Sequence, residues 1–211
     1  MKSSGAYQLG IDFSRKGSLP GKVVMILGNW LLQGIWYMDR SERAFTAAVE
    51  LILFGISFGL LKALTGTDLL LALVASSVVT HTLNWILNGH FWALMLETRF
   101  SRMRTGKDRL LAYANKMSER LLDRRCFTSM YVYGSMSRGT PGETSDLDIR
   151  LVLAPGFTNR IRGCFATSVE RARAFLKHFP LDVHAVDSSD RLQGMRADET
   201  PIALFQHEGT A

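Results

Sequence analysis

The sequence predicts an α/β protein of mixed α+β type: a small sheet with flanking helices, preceded by an all-helical, transmembrane-like N-terminal region. Three observations predict it. From Lys107 onward, amphipathic segments of helical period alternate with short aromatic and β-branched runs. Between residues 44 and 96 lie two apolar stretches, each long enough for the roughly 20 residues that crossing a bilayer takes. The net charge is +6, and Lys and Arg gather at the outer ends of those stretches, with none in the turn between them.

The elements follow in order. The first segment, MKSSGAYQLGIDFSRKGSLPGK, is polar and rich in Gly and Ser, without the apolar core of a cleavable signal peptide. VVMILGNWLLQGIWYM (Val23 to Met38) is a shorter apolar run interrupted by Asn29 and Gln33, so residues 1–43 read as a polar N-terminus and a short apolar or interfacial helix. Residues 44–98 form the hairpin: AFTAAVELILFGISFGLLKAL, the turn Thr65-Gly66-Thr67-Asp68, then LLLALVASSVVTHTLNWILNGHFWALML. Glu50 and Lys62 are charges inside the first stretch, which favours a soluble helical bundle as the alternative. Lys62, however, lies near the end, where its stem can carry the ammonium to the interface. Arg40 and Arg43 precede the hairpin, and Arg99, Arg102, Arg104 and Lys107 follow it. The positive-inside rule then puts both ends in the cytoplasm and the turn outside. In the second stretch His81, Asn84 and Asn88 share a helical face beside Trp85 and Trp92. Such a stripe should meet another helix, through hydrogen bonds or self-association, or a lipid headgroup.

Residues 99–211 form the second domain. KDRLLAYANKMSERLLDRR (Lys107 to Arg125) is an amphipathic helix with a basic outer face. CFTSMYVY (Cys126 to Tyr133) is a strand ending at Gly134, and LDIRLVLA (Leu147 to Ala154) is a second, stopped by Pro155-Gly156. SVERARAFLKHF (Ser168 to Phe179) reads as a helix with Ser168 as its N-cap, and LDVHAV (Leu181 to Val186) as a third strand. The tail is polar, with Ile202 to Phe205 as one short packed segment. The two cysteines, Cys126 and Cys164, lack metal-like spacing and read as buried thiols in a reducing compartment.

The chemistry concentrates in YGSMSRGTPGETSDLDIR, residues 133 to 150. Asp146 and Asp148 flank Leu147 at the start of a strand, so both carboxylates leave one face while Leu147 enters the core. Two carboxylates so close repel each other, and a divalent cation resolves that repulsion. Hard oxygen ligands suit Mg²⁺, which commonly takes one or two carboxylates plus substrate phosphates. Gly134-Ser135, just after a strand, can turn tightly and offer N–H groups and a hydroxyl to phosphate oxygens, and Arg138 follows one turn later. Asp182 would join the two acids if its strand pairs beside theirs, the arrangement that two-metal phosphoryl chemistry needs. Arg150 shares the acids' face, either steadying them, touching phosphate, or pairing with Asp148 or Asp182. His184 would share the face of Asp182 and reads by default as a solvent-facing or packing histidine.

GSMSRGTPGETSDLDIRLVL resembles the signature of the DNA polymerase beta-like nucleotidyltransferase superfamily, hG[GS] followed after about ten residues by DhDh. It is most similar to the minimal nucleotidyltransferases, GS-x-A-R-G-x-x-x-x-x-S-D-h-D, with Ser137 where that pattern usually has Ala. The resemblance spans roughly residues 107 to 187. It implies that Gly134 and Ser135 hold the triphosphate of an incoming NTP, ATP among them, with Arg138 and Arg150 placed by the reading above as further nucleotide-binding candidates. It further implies that Asp146, Asp148 and Asp182 bind Mg²⁺, or Mn²⁺ in its place, and that Asp182 helps activate an acceptor hydroxyl.

The leading expectation is a membrane-associated, Mg²⁺-dependent nucleotidyltransferase that moves an NMP from an NTP to an acceptor hydroxyl and releases pyrophosphate. Its catalytic domain would face the cytoplasm at the cytoplasmic membrane. Lipid is an expected partner, and the acceptor is a lipid-linked group, a glycan precursor or a protein. Two alternatives stand beside it: a soluble transferase acting on a small molecule or a protein, and a non-catalytic module serving as scaffold or antitoxin-like partner. Nucleic acid is not expected as partner. The basic run from Arg99 to Arg125 lacks the interleaved aromatics of a single-strand platform and suits anionic headgroups, and no thumb-like domain follows residue 187. Homo-oligomerisation through the hairpin is a further expectation.

Overall fold

The computed structural model describes residues 19–88, 91, 105–193 and 200–207. Arg99, Arg102, Arg104 and Trp92 lie outside the described residues. Helix α1 is Leu19–Leu32, α2 Arg40–Thr65 and α3 Leu69–Leu87. Helix α2 thus begins at Arg40 rather than at Ala44, because the polar Arg40-Ser41-Glu42-Arg43 turn continues the helix instead of leading into it. The hairpin turn is set by two local devices. Gly66 takes the left-handed conformation (φ 60°) that ends α2, and the Asp68 side chain accepts hydrogen bonds from the N–H groups of Leu70 (2.8 Å) and Leu71 (3.4 Å) to start α3.

Several of the hairpin's polar residues satisfy one another, although the buried hydroxyls of Ser76 and Thr80 have no hydrogen-bond partner among the described residues. Glu50 accepts from His81 Nδ1 at 2.6 Å, and Asn84 Nδ2 donates to Gln33 Oε1 at 2.9 Å. Asn88 Nδ2 donates to Asn84 Oδ1 (2.7 Å), and Trp85 Nε1 to Asn29 Oδ1 (2.7 Å). The His81, Asn84 and Asn88 stripe therefore faces α1 and α2, the interhelical hydrogen-bonding reading. Glu50, which the sequence offered as an argument against a membrane span, is the stripe's partner. The outer faces are different: Leu51, Ile52, Ile56, Leu60 and Leu64 of α2 and Leu70, Val74 and Val78 of α3 are exposed. Both α2 and α3 are long and apolar enough to cross a membrane.

The C-terminal half contains a four-stranded sheet with strands β1 (Phe127–Tyr133), β2 (Leu147–Leu153), β3 (Leu181–Val186) and β4 (Ile202–Gln206), in the order β3-β2-β1-β4. Strand β1 is antiparallel to both neighbours, and β2 and β3 are parallel. The helices are α4 (Gly106–Leu122), α5 (Gly134–Ser137), α6 (Phe157–Leu176) and α7 (Asp190–Gln193). Alternation along the strands separates the two faces. Met130, Val132, Leu147, Ile149, Leu151 and Val183 enter one core with Leu110, Ala114, Met117 and Leu121 of α4. Tyr133, Asp148, Arg150, Asp182 and His184 occupy the other face. Arg120 of α4 grips Glu170 of α6 with two nitrogens (3.1 and 2.6 Å), which ties the two helices together.

One expectation is corrected. Ser168 is not an N-cap, since α6 starts at Phe157 and Ser168 lies mid-helix. Gly163, inside this longer helix, is a packing residue: a Cβ there would lie 2.2 Å from Leu153 Cδ2. The packed segment at Ile202 to Phe205 is a strand, paired with β1.

Candidate active site

The parallel register of β2 and β3 sets Asp148 opposite Asp182 and Arg150 opposite His184, four polar side chains on one face in two adjacent pairs. Asp146 precedes β2 by one residue. The chain reverses into this site at Gly134, the first residue of α5, with φ 72°. A Cβ at Gly134 would lie 1.9 Å from Asp148 Oδ2, so the glycine is what lets the Asp148 carboxylate lie against the turn. The loop back to β2 is held by its own residues. Ser137 Oγ donates to Gly134 O (3.0 Å), Thr140 N to Ser135 O (2.9 Å), and Gly142 N to Ser145 Oγ (2.8 Å). Thr105 Oγ1 donates to Ser145 O (2.7 Å), anchoring the loop to the start of α4.

The electrostatics are those of crowded acids. Burial and then the charge of Asp182 push the Asp146 carboxyl up to about 6. Burial, with Asp146 and Asp182 beside it, raises Asp148 well above the usual carboxylate range. Asp148 and Asp182 are within hydrogen-bonding reach of each other. Burial alone would also raise Asp182, but Arg150 and His184 outweigh it and hold that carboxyl well below its ordinary value. Arg150 NH2 donates to Asp182 Oδ2 at 3.2 Å, the ion pair weighed for it.

His184 is where the sequence reading falls short. It is neither solvent-facing nor mere packing. Its Nε2 lies 3.1 Å from Asp182 Oδ1 and its Nδ1 3.2 Å from Glu42 Oε2, a carboxylate on each nitrogen. Burial would lower its pKa, yet Glu42 and Asp182 together raise it. Glu42 comes from the first turn of α2, and among the described residues of that helix it is the only one buried. No local signal could have found it, because it is 142 positions from His184.

The donor set fits a divalent cation. Raised, mutually repelling carboxyls are what a cation would relieve. Among the described residues no three acidic, histidine or cysteine side chains make a complete cage. The turn fits phosphate: the Ser135 hydroxyl oxygen is shut off from solvent and has no hydrogen-bond partner among the described residues. Arg138 ends the same turn and is exposed.

Compared with known proteins, residues 114–196 match the family model described as nucleotidyltransferase domain. No curated protein and no solved structure matches the chain.

Proposed function

We propose, from the premise that residues 114–196 are a nucleotidyltransferase domain of the polymerase beta-like superfamily, that the chain is a membrane-associated enzyme transferring an NMP from an NTP to an acceptor hydroxyl. The observation that carries this reading is the pairing of Asp148 with Asp182 beside Asp146, one Cβ-width from the Gly134 turn. Acids and phosphate cradle lie together there, with an unsatisfied hydroxyl in the cradle.

In this reading Asp146 and Asp148 would hold Mg²⁺, or Mn²⁺, with Asp182 as third acid of the set. Bound with the triphosphate, the cation supplies charge neutralisation for the departing pyrophosphate. The N–H groups of the Gly134-Ser135 turn and the Ser135 hydroxyl receive phosphate oxygens, and Arg138 adds a charge at the turn's end. The acceptor oxygen forms a bond to the α-phosphorus as the bond to the β-phosphate's bridging oxygen breaks. Asp182, kept ionised by Arg150 and His184, accepts a hydrogen bond from the acceptor hydroxyl and aims it, and the proton passes on to solvent. Its low basicity makes it an orienting group first.

The hairpin supports an acceptor located at the membrane. Apolar outer faces on α2 and α3 favour a bilayer around them, and a lipid-linked group, a glycan precursor or a membrane protein is within reach there. A second copy of the hairpin would suit the same faces. The test is transfer from each NTP labelled at the α-phosphate, by detergent-purified protein with Mg²⁺ and native membranes as acceptor pool. Label is expected in a lipid, glycan or protein fraction, and to fall about a thousandfold in Asp146→Asn/Asp148→Asn. Equal nucleotide binding by wild type and variant, without transfer by either, would instead establish a non-catalytic module.

A further inference from the structure

The third acid is connected to the hairpin by an unbroken series of polar contacts, buried from His184 to Glu42 and Arg171. Asp182 receives His184 Nε2 at 3.1 Å, and Glu42 receives His184 Nδ1 at 3.2 Å. Arg171 of α6 pairs with the other oxygen of Glu42, and its Nε donates to Val183 O at 3.0 Å on the edge strand. Glu42, Arg171 and His184 are 1%, 2% and 3% exposed, so water cannot substitute for the bonds among them, and the series opens to solvent only at Asp182. The start of α2 is also fastened to the end of β3. Asp187 Oδ2 accepts from Ser41 N (3.2 Å), capping α2 from the other domain, while Asp39 Oδ2 accepts from Asp187 N (2.9 Å).

We propose that Glu42 is a positioning residue for Asp182, acting through His184, so that the transfer site is complete only while the base of the hairpin is docked on β3. This rests on the transferase reading above. An imidazole held from one side only can turn about its Cβ–Cγ bond. With a carboxylate on each nitrogen it cannot, and Asp182 Oδ1 keeps one direction while Arg150 fixes Oδ2. The catalytic unit therefore reaches back to Glu42, beyond the stretch recognised as the nucleotidyltransferase domain. An event at the membrane that lifts α2 from β3 would switch off acceptor activation and leave the Gly134-Ser135 cradle able to hold nucleotide.

The experiment uses the full chain in detergent and compares wild type, Glu42→Gln, His184→Gln and the double variant. Transfer kinetics, binding of labelled NTP with Mg²⁺, and melting temperature are measured on each. Glu42→Gln keeps the shape and one acceptor. His184→Gln leaves Glu42 paired with Arg171, and stands in should Glu42→Gln fail to show a cooperative melt. In each folded variant kcat is expected to fall about 10- to 100-fold, with NTP affinity within about twofold of wild type. The double variant should be no slower than the worse single one, within about threefold, since both cut one connection. Folded variants with wild-type kcat, or single effects that multiply in the double variant, would overturn the proposal. A loss of NTP affinity matching the loss of rate would overturn it too, as the mark of general structural damage. Failure of wild type to transfer any labelled nucleotide is a separate outcome, and removes the transferase reading and this inference together.

Discussion

Gly134 occupies a conformation that costs a residue with a side chain roughly 1–2 kcal/mol, and its missing Cβ is the space that the Asp148 carboxylate uses. Gly134→Ala should therefore lower the melting temperature only modestly while reducing transfer at least about a hundredfold, because relief of the clash moves an acid of the site. Wild-type activity in that variant would show that Asp148 need not lie against the turn. Asp146 makes a pH prediction. Its folded value, about 6, lies above its ordinary 3.8, so it favours the fold at low pH, and that contribution is lost as pH rises from about 4 through 6. A cation at the site relieves the cost. The rise in melting temperature on adding Mg²⁺ should be larger at pH 7.5 than at pH 5, and an equal rise at both would place the metal away from Asp146.

Helix α6 meets the sheet at Gly163, where a Cβ would sit 2.2 Å from Leu153 Cδ2, 3.3 Å from Phe127 Cε1 and 3.4 Å from Cys126 O. Alanine would gain about 1 kcal/mol of helix propensity, but overpacking a filled core costs about 1–3 kcal/mol. Gly163→Ala should thus be destabilising, read as a lower midpoint in denaturant, and a more stable variant would mean that α6 can slide. This residue also explains what was legible in the sequence. Strands β1, β2 and β3 announce themselves because each is a short run with apolar residues at alternate positions and a Gly or Pro at or just beyond one end: Gly134 after β1, Pro155 after β2 and Pro180 before β3. The start of α6 does not, because the glycine that its packing demands looks locally like a break. That Asp146, just before β2, and Asp148, within it, share a face was readable from alternation alone. That Asp182 stands opposite Asp148 needed the parallel register, and Glu42 needed the whole tertiary fold.

At the scale of the molecule, the hairpin's two domain-side ends and its turn must lie on opposite sides if α2 and α3 cross a bilayer. The start of α2 is bonded to β3 through Glu42, Ser41 and Asp187, and α3 also approaches α6. In that case the face carrying the acids and the hairpin base would share one side, and Thr65 at the turn would be on the other. Native cysteines will not confuse a labelling test. Both are buried and free, and burial, with Glu42 and Asp187 nearby, pushes the Cys164 thiol up to about 12, while burial also raises Cys126. Wild-type protein in intact cells should take no membrane-impermeant maleimide. Thr65→Cys, on an exposed residue, should label from outside the cell, whereas Asp123→Cys, exposed at the end of α4, should label only after the membrane is opened. If both variants label only after opening, the hairpin lies along the inner surface or forms a soluble bundle, and the acceptor must be sought in the cytoplasm. If Asp123→Cys labels from outside, the orientation drawn from the arginines is reversed, and an enzyme dependent on cytoplasmic NTP would no longer fit the chain.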